Sequence, residues 1–254
     1  MGLTSTQTTL LDKKVTLKQS STGFRAGLDT VMVAAACPAK PKSYVLDAGC
    51  GAGGALYCLM VRVPDLSAKA IDVSDEYIAL ARENAEANGW AEQVECVSGD
   101  FLTMAEDTRF DHILTNPPYL EEGTHYISTD PLRAQALGHL DAQSGTEAWL
   151  KKAHRLLKSK GSLTLIQRAD MLDKIILGLG KRFGATEIFP LVPKEGEPAK
   201  RVIIRTWKDR ASPLTLHSPL VIHKKDGTYT GCANAILKDA KPIEEGLHGT
   251  QIQG

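Results

Sequence analysis

The tetrapeptide Asn116-Pro117-Pro118-Tyr119 contains the residue types needed to hold an amino group for reaction. It follows an apolar run at 110–115, and its two prolines fix the backbone φ angle twice and remove two N–H donors. The Asn116 side-chain oxygen and the Pro117 carbonyl can accept both hydrogens of one exocyclic amine, while Tyr119 offers a flat face to a planar group. Such acceptors favour the pyramidal nitrogen that attack requires, so we assign all four residues as candidate catalytic residues. The alternative is a Pro-Pro turn that merely ends a strand.

A second group of residues has the pattern of a nucleoside-binding crevice. Residues 45–54 read VLDAGCGAGG, in which an apolar run leads into an acid and closely spaced glycines. Asp47 precedes the first glycine, where it suits an ammonium group or a hydrogen-bond donor better than a pyrophosphate. Asp72 ends the next apolar run and can accept bonds from ribose hydroxyls, while Asp100 and Phe101 can reach an adenine amino group and its ring. The candidate cofactor contacts are Asp47, Gly49, Gly51, Gly53, Asp72, Val73, Asp100, Phe101 and Asn116.

This combination resembles the class I S-adenosylmethionine-dependent methyltransferases. The resemblance implies S-adenosyl-L-methionine as the cofactor and transfer of its sulfonium methyl group to the amine held at the Asn-Pro-Pro-Tyr motif. An NAD-type dinucleotide turn is the alternative reading of the glycines, and the acid at position 47 disfavours it. Asp72 departs from the many methyltransferases that have Glu at this place, which implies an altered geometry at the ribose.

Upstream, residues 18–35 read KQSSTGFRAGLDTVMVAA and resemble the segment before the core in the bacterial family that methylates adenine N6 in valine tRNA. The resemblance covers most of residues 8–237, including a C-terminal stretch at 219–227 to which the sequence assigns no chemistry. It implies that this segment closes over the methionine end of the cofactor, with Arg25 pairing with the ligand carboxylate. The residues so implied are Gly23, Phe24, Arg25, Ala26, Gly27, Asp29 and Thr30. A surface ion pair is the alternative role for Arg25.

The Asn-Pro-Pro-Tyr motif alone does not specify which amine is methylated. Enzymes with this tetrapeptide also act on cytosine N4 and on glutamine side chains, so a protein or small-molecule amine methyltransferase is the alternative, and a non-catalytic RNA-binding module is a second one. The few residues before the glycine turn disfavour the glutamine-methylating family, and the absence of room for a target-recognition domain disfavours the DNA-methylating ones. The resemblance to the tRNA-methylating family then implies N6-methylation of adenosine in structured RNA, in tRNA near the anticodon. The candidate RNA contacts are Tyr126 and Arg133 in the long connection 120–145, and Lys194, Lys200 and Arg201 near the last strands.

Alternating apolar and helical patterns over 43–207 predict an α/β fold with a doubly wound sheet. We expect a Rossmann-like, mostly parallel sheet of seven strands with an antiparallel edge strand. Predicted strands are 44–47, 69–73, 94–98, 110–115, 162–166, 186–191 and 201–206, and predicted helices are 75–87, 146–158, 171–183 and one near 233–237. We expect one methyltransferase domain with an N-terminal hairpin and cofactor-closing segment (1–42), a catalytic core (43–208) and a C-terminal extension (209–254).

Composition favours a cytoplasmic enzyme. The five cysteines are scattered without a C-x-x-C pair, and neither they nor the seven histidines are spaced as metal ligands, so we expect no metal. No apolar run is long enough to cross a membrane, and no signal peptide is expected. The formal net charge is zero, but residues 41–149 contain 18 acidic and 6 basic residues, whereas 150–210 contain 15 basic and 6 acidic ones. Either a basic face for a polyanion or ordinary solvated helix surfaces would give this asymmetry, and the oligomeric state is not specified.

Overall fold

The computed structural model describes residues 5–21, 25–117 and 142–248, and its centre is one mixed β-sheet. The nine strands of this sheet are β3 (Tyr44–Ala48), β4 (Ser67–Asp72), β5 (Val94–Ser98), β6 (Phe110–Thr115), β7 (Leu157–Arg168), β8 (Phe183–Lys194), β9 (Arg201–Lys208), β10 (Thr215–Leu216) and β11 (Leu220–His223). A separate hairpin pairs β1 (Ser5–Leu10) with β2 (Val15–Ser20).

The strand order of the sheet is β10-β8-β9-β7-β6-β3-β4-β5, and β11 also pairs with β8. The chain runs from β3 outward through β4 and β5 and then returns to β6 on the other side of β3. The strand order therefore reverses between β3 and β6, which is where open α/β sheets bind ligands at the carboxyl ends of their strands. These carboxyl ends form what we call the carboxyl edge.

The expected α/β, Rossmann-like class is confirmed, but two details of the predicted sheet are wrong. The antiparallel strand β9 lies inside the sheet, between β7 and β8, rather than at its edge. Two short strands, β10 and β11, continue the sheet beyond β8 and raise the count from seven to nine. Both come from the C-terminal tail, where four or fewer residues per strand give too short a pattern to recognise in sequence.

Helices cover both faces of the sheet. They are α1 (Leu28–Ala36), α2 (Gly54–Arg62), α3 (Asp75–Ala87), α4 (Ala142–Leu156), α5 (Leu172–Leu179), α6 (Gly231–Leu237) and α7 (Ile243–His248). Apolar residues of α1, α2, α3 and the tail helices share one buried cluster with one face of the sheet. Those of α4 and α5 share a second cluster with the opposite face. No helix among the described residues is long and apolar enough to span a bilayer.

Several predicted boundaries differ from the observed ones for local reasons. Helix α3 has the predicted bounds, and Ser74 caps it by accepting a hydrogen bond from the Tyr77 N–H. Helix α5 stops at Leu179 rather than 183, because Gly180 adopts a left-handed φ of 53° and ends it. Helix α4 ends at Leu156 and leads straight into β7, so Gly161 lies within that strand and does not follow the helix.

Candidate active site

The glycine turn after β3 is tied by hydrogen bonds to the end of the neighbouring strand β4. The Gly49 and Cys50 N–H groups both donate to the Ile71 carbonyl, at 2.9 and 3.0 Å. The Gly51 N–H donates to Asp72 Oδ2 at 2.9 Å, and the other oxygen of this carboxylate accepts the Ser74 N–H at 2.9 Å. Asp72 therefore links the turn after β3 to the turn after β4. Its half-buried carboxylate is held in a fixed position beside the glycines.

Asp47 is a buried acid with an unsatisfied oxygen under the same turn. Its side chain is 1% exposed, and Oδ2 has no hydrogen-bond partner in the described structure. Burial raises its pKa from 3.8 to about 7; the Leu56 backbone N–H opposes the shift and the Asp72 charge adds to it. Because ionising this carboxyl group costs free energy when it has no partner, a cationic or hydrogen-bond-donating ligand would stabilise its ionised form.

Asn116 lies at the end of β6 with its amide unsatisfied. Both Oδ1 and Nδ2 are buried and lack a hydrogen-bond partner among the described residues. The preceding Thr115 donates its hydroxyl to the Ala48 carbonyl at 2.7 Å, which fixes the end of β6 against the base of the glycine turn. Buried amides without partners are rare and costly, so this pair of atoms has the character of a ligand-binding group.

Asp100 and Phe101 lie in the turn after β5. Asp100 Oδ1 accepts the Leu102 N–H at 2.8 Å, and Phe101 is 3% exposed. Val73, which follows Asp72 in the chain, has 46% of its surface exposed.

Sequence reasoning missed Trp149 of α4. Its ring lies 4.5 Å from the Phe101 ring, centroid to centroid, and its Cη2 is 3.5 Å from where a Cβ on Gly49 would be. Phe101, Trp149, Thr115 and Pro117 are among the residues that line an apolar cavity of about 120 Å³. This cavity lies between the end of β6 and helix α4, and it offers apolar space for a flat ring beside Phe101 and Trp149. The only sequence signal was an aromatic residue on a helix, which usually indicates core packing.

The segment predicted to close over the cofactor packs against the glycine turn. A Cβ built on Gly54 would lie 3.0 Å from the Thr30 methyl group and 3.2 Å from the Ala26 methyl group. Thr30 is buried and accepts the Gly27 N–H through its hydroxyl at 3.3 Å, at the start of α1. Arg25 is exposed just before this start. Ala26 and Thr30 thus lie beside the glycine turn, and closure of this segment over a cofactor stays a prediction.

Two of the nominated residues bind each other. Arg201 Nε donates to Asp29 Oδ2 at 2.9 Å, and both side chains are half-buried. Arg201 was expected to contact RNA phosphates and Asp29 to contact the cofactor, but their ion pair ties α1 to the start of β9. The ion pair engages Arg201 Nε, and contact of Arg201 with RNA phosphates stays a prediction. Lys194 and Lys200 flank the β8–β9 loop and are exposed at the carboxyl edge.

Six nominated residues lie outside the described part of the chain. These are Gly23 and Phe24 of the closing segment, Pro118 and Tyr119 of the tetrapeptide, and Tyr126 and Arg133 of the long connection. Within the described ranges, no group of three or more His, Cys, Asp or Glu side chains is arranged to hold a metal ion.

Comparisons with known proteins agree with this geometry. The sequence profile of the family "Methyltransferase small domain" matches residues 26–190. A tRNA1(Val) (adenine(37)-N6)-methyltransferase from Aeromonas hydrophila is 30% identical over 211 residues, covering 82% of this chain and 86% of the relative. The enzyme of the same name from Bacteroides thetaiotaomicron is 27% identical, covering 76% and 80%.

Solved structures give the same fold. A crystal structure described as a predicted O-methyltransferase from Agrobacterium tumefaciens superposes with a TM-score of 0.67 at 25% identity, covering 82% of this chain and 94% of that one. The 16S rRNA N2 G1207 methyltransferase from Thermus thermophilus, in complex with AdoMet and guanosine, gives 0.55 at 16% identity, covering 82% and 51%. The site and these matches together show that the chain is a methyltransferase of the small-domain family and, within it, belongs to the tRNA1(Val) (adenine(37)-N6)-methyltransferase family.

Proposed function

We propose that this protein methylates the N6 amino group of an adenosine in tRNA, at position 37 beside the anticodon, with S-adenosyl-L-methionine as methyl donor. The observation that carries the proposal is the amide of Asn116, whose buried atoms have no partner among the described residues and which the Thr115 bond fixes next to the glycine turn. The position and the tRNA come from the names of the relatives, which are tRNA1(Val) (adenine(37)-N6)-methyltransferases.

The described residues fit the donor at three places. The unsatisfied Oδ2 of Asp47 suits its ammonium group, and the fixed carboxylate of Asp72 suits its ribose hydroxyls. The cavity beside Phe101 and Trp149 suits its adenine ring. Exposed Arg25 is free to swing toward a ligand carboxylate. When bound, S-adenosylmethionine supplies an electrophilic methyl group.

The chain's own contribution to the reaction is mainly orientation. Asn116 Oδ1 and the Pro117 carbonyl accept the two protons of the target amine, which localises the nitrogen lone pair that resonance with the ring otherwise withdraws. Tyr119 stacks on the extruded base in this proposal. The amine becomes acidic only after it is methylated, so the proton can leave to water and no side-chain base is required.

Replacing Asn116 by Ala tests this role. We expect turnover to fall by about 10²–10³-fold, the usual loss when one pre-organised polar group is removed, while donor affinity changes only a few-fold. Asn234 of α6 is a matched control, because its buried Oδ1 also lacks a partner among the described residues but lies in a tail helix. Asn234→Ala should leave turnover unchanged. Equal turnover for wild type and Asn116→Ala would refute the amine geometry.

The substrate class is tested by incubation with tritiated donor and either tRNA from cells lacking this protein or a protein extract. We expect label in tRNA, in a nucleoside that mass spectrometry identifies as N6-methyladenosine at position 37. Label found only in protein would instead support a protein amine methyltransferase and overturn the RNA assignment.

A further inference from the structure

The C-terminal stretch at 219–227 has no role in the site described so far, yet the fold brings it to the carboxyl edge. Strand β11 pairs in parallel with β8, with His223 opposite Lys194. Strand β8 is itself parallel to β7 and β6, because β9 lies antiparallel to both β7 and β8. The residues that follow β11 therefore emerge on the same side of the molecule as Asn116.

A tight turn holds these residues in place. The Lys224 N–H donates to the Thr228 carbonyl at 2.7 Å, and the Gly227 N–H donates to the Lys224 carbonyl at 3.0 Å. Asp226 Oδ1 accepts both the N–H and the hydroxyl of Thr228, at 2.9 and 2.6 Å. The one acid of the turn is thus engaged within the turn, while the side chains of Lys224 and Lys225 are exposed.

The neighbouring β8–β9 loop does not supply the same excess of positive charge. Its two lysines, Lys194 and Lys200, are accompanied by exposed Glu195 and Glu197. The charges of this loop therefore cancel, whereas the turn, with Lys224 and Lys225 against the single acid Asp226, has a net charge of +1.

Two stacked rings lie beside these lysines. His223 and Tyr229 have ring centroids 4.9 Å apart and planes 25° apart, and a β-bridge joins the two residues. His223 Nδ1 is 3.3 Å from the Pro193 carbonyl, which anchors the pair to β8. Tyr229 is 38% exposed. An anchored aromatic ring with an open face next to two cations is the combination by which proteins hold unpaired nucleotides, through stacking and phosphate contacts.

We propose that His223, Lys224, Lys225 and Tyr229 form an RNA-binding surface, here called the tail platform, which stacks an unpaired base and contacts adjacent phosphates. The proposal rests on the proposed function, because RNA is the substrate there. Four strand spacings separate β11 from β6, so the platform lies about 19 Å from Asn116. That distance corresponds to about six nucleotides of stacked strand, which is suitable for holding the substrate on one side of the reacting adenosine.

Charge reversal tests the phosphate contacts. The double variant Lys224→Glu/Lys225→Glu should bind tRNA at least tenfold more weakly, and the slope of log affinity against log salt should become shallower by about 1.5, as expected for two lost phosphates. The matched control is Lys160→Glu/Lys181→Glu, which reverses two exposed lysines at the opposite edge of the sheet. It should bind within about twofold of wild type. Equal losses in both variants would mean only a general charge effect and would overturn the proposal.

Two substitutions of Tyr229 test the stacking. Tyr229→Phe keeps the ring and should retain tRNA affinity, whereas Tyr229→Ala should lose about tenfold. Donor affinity should match wild type in every variant, because no platform residue contacts the glycine crevice in the described structure. Melting temperatures, measured on every variant, show whether each variant is folded at the assay temperature. Affinity unchanged in both Tyr229→Ala and the Lys224→Glu/Lys225→Glu variant would refute the platform.

The wild-type protein separates this failure from failure of the proposed function. If the wild type methylates tRNA while the platform variants bind it normally, the function stands and the platform is wrong. If the wild type transfers no methyl group to tRNA, the proposed function itself is wrong.

Discussion

At the scale of single residues, two glycines of the glycine turn, Gly51 and Gly53, differ in the space around them. Gly51 and Gly53 both have left-handed φ angles, of 53° and 87°. A Cβ on Gly51 would meet nothing within 4 Å, whereas a Cβ on Gly53 would lie 2.3 Å from the ring of Tyr57. Tyr57 cannot give way easily, because it is fully buried and donates its hydroxyl to the Ala81 carbonyl. Gly53 is therefore required by the protein's own packing, while the space at Gly51 is available to a ligand.

This difference predicts opposite outcomes for two Ala variants. Gly53→Ala should destabilise the fold by about 2–4 kcal/mol through overpacking and backbone strain. Gly51→Ala should cost about 1 kcal/mol of backbone strain but weaken donor binding at least tenfold, because its methyl group enters the crevice. Denaturant unfolding and donor titration measure the two effects. Normal donor affinity in folded Gly51→Ala would contradict the placement of the donor.

At the scale of elements, Asn84 of α3 and Asn88, which caps the C-terminus of α3, hold the N-terminal hairpin in the way that a neighbouring strand would. Asn84 accepts the Lys18 N–H at 2.7 Å and donates to the Lys18 carbonyl at 2.8 Å; Asn88 makes the same two bonds to Thr16, at 2.9 and 2.7 Å. The match arises because i,i+4 spacing on a helix is close to i,i+2 spacing on a strand. The two differ in a further bond: Asn84 also donates to the Ala52 carbonyl of the glycine turn at 3.0 Å, whereas Asn88 also donates to the Asn84 carbonyl at 2.7 Å.

Asn84 therefore links the hairpin to the cofactor crevice, and Asn88 is its natural control. Asn84→Ala and Asn88→Ala should both lower the free energy of unfolding, because each leaves strand groups of β2 unpaired. Only Asn84→Ala should also raise the dissociation constant of the donor, by about five- to tenfold. Parallel unfolding and donor-binding measurements decide this. A similar loss of donor affinity in Asn88→Ala would show that the hairpin acts as a whole and that the bond to Ala52 has no special role.

At the scale of the whole molecule, charge counted along the chain overstates the basic surface. Many cations of the segment 150–210 serve the fold. Arg205 is 6% exposed and bonds Glu187, Glu244 and the Ala36 carbonyl. Lys208 donates to the carbonyls of His154 and Leu157 at the end of α4. The tail, whose charges balance in sequence, instead supplies exposed lysines at the carboxyl edge.

Two buried groups should change the stability of the whole protein in opposite directions over the same pH range. Burial lowers the pKa of His112 from 6.5 to about 4 and raises that of Asp47 from 3.8 to about 7. Between pH 4.5 and 6.5, His112 is neutral in the folded state but protonated in the unfolded state, so this group makes the free energy of unfolding rise with pH. Asp47 keeps a proton that the unfolded state has lost, so it makes stability fall with pH. Each contributes about 1.4 kcal/mol per pH unit.

Single variants should expose these opposing contributions. Relative to wild type, His112→Asn should lose stability as the pH rises from 4.5 to 6.5, and Asp47→Asn should gain it, by about 2 kcal/mol in each case. Urea unfolding at several pH values measures the slopes. If the free energy of unfolding depended on pH in the same way in wild type and both variants, neither group would have the shifted pKa that its burial predicts.

The sequence by itself determined the sheet-and-helix class, the glycine turn, the acids at the strand ends and the Asn116 corner. It could do so because these features are local, and because the carboxyl ends of parallel strands must converge once the strands pair. Only the tertiary structure decided that β9 lies inside the sheet, that Trp149 closes the crevice, and that Arg201 binds Asp29, 172 residues away. Contacts across such separations leave no periodic signal in the chain, since they depend on how whole elements pack rather than on the pattern within any one of them.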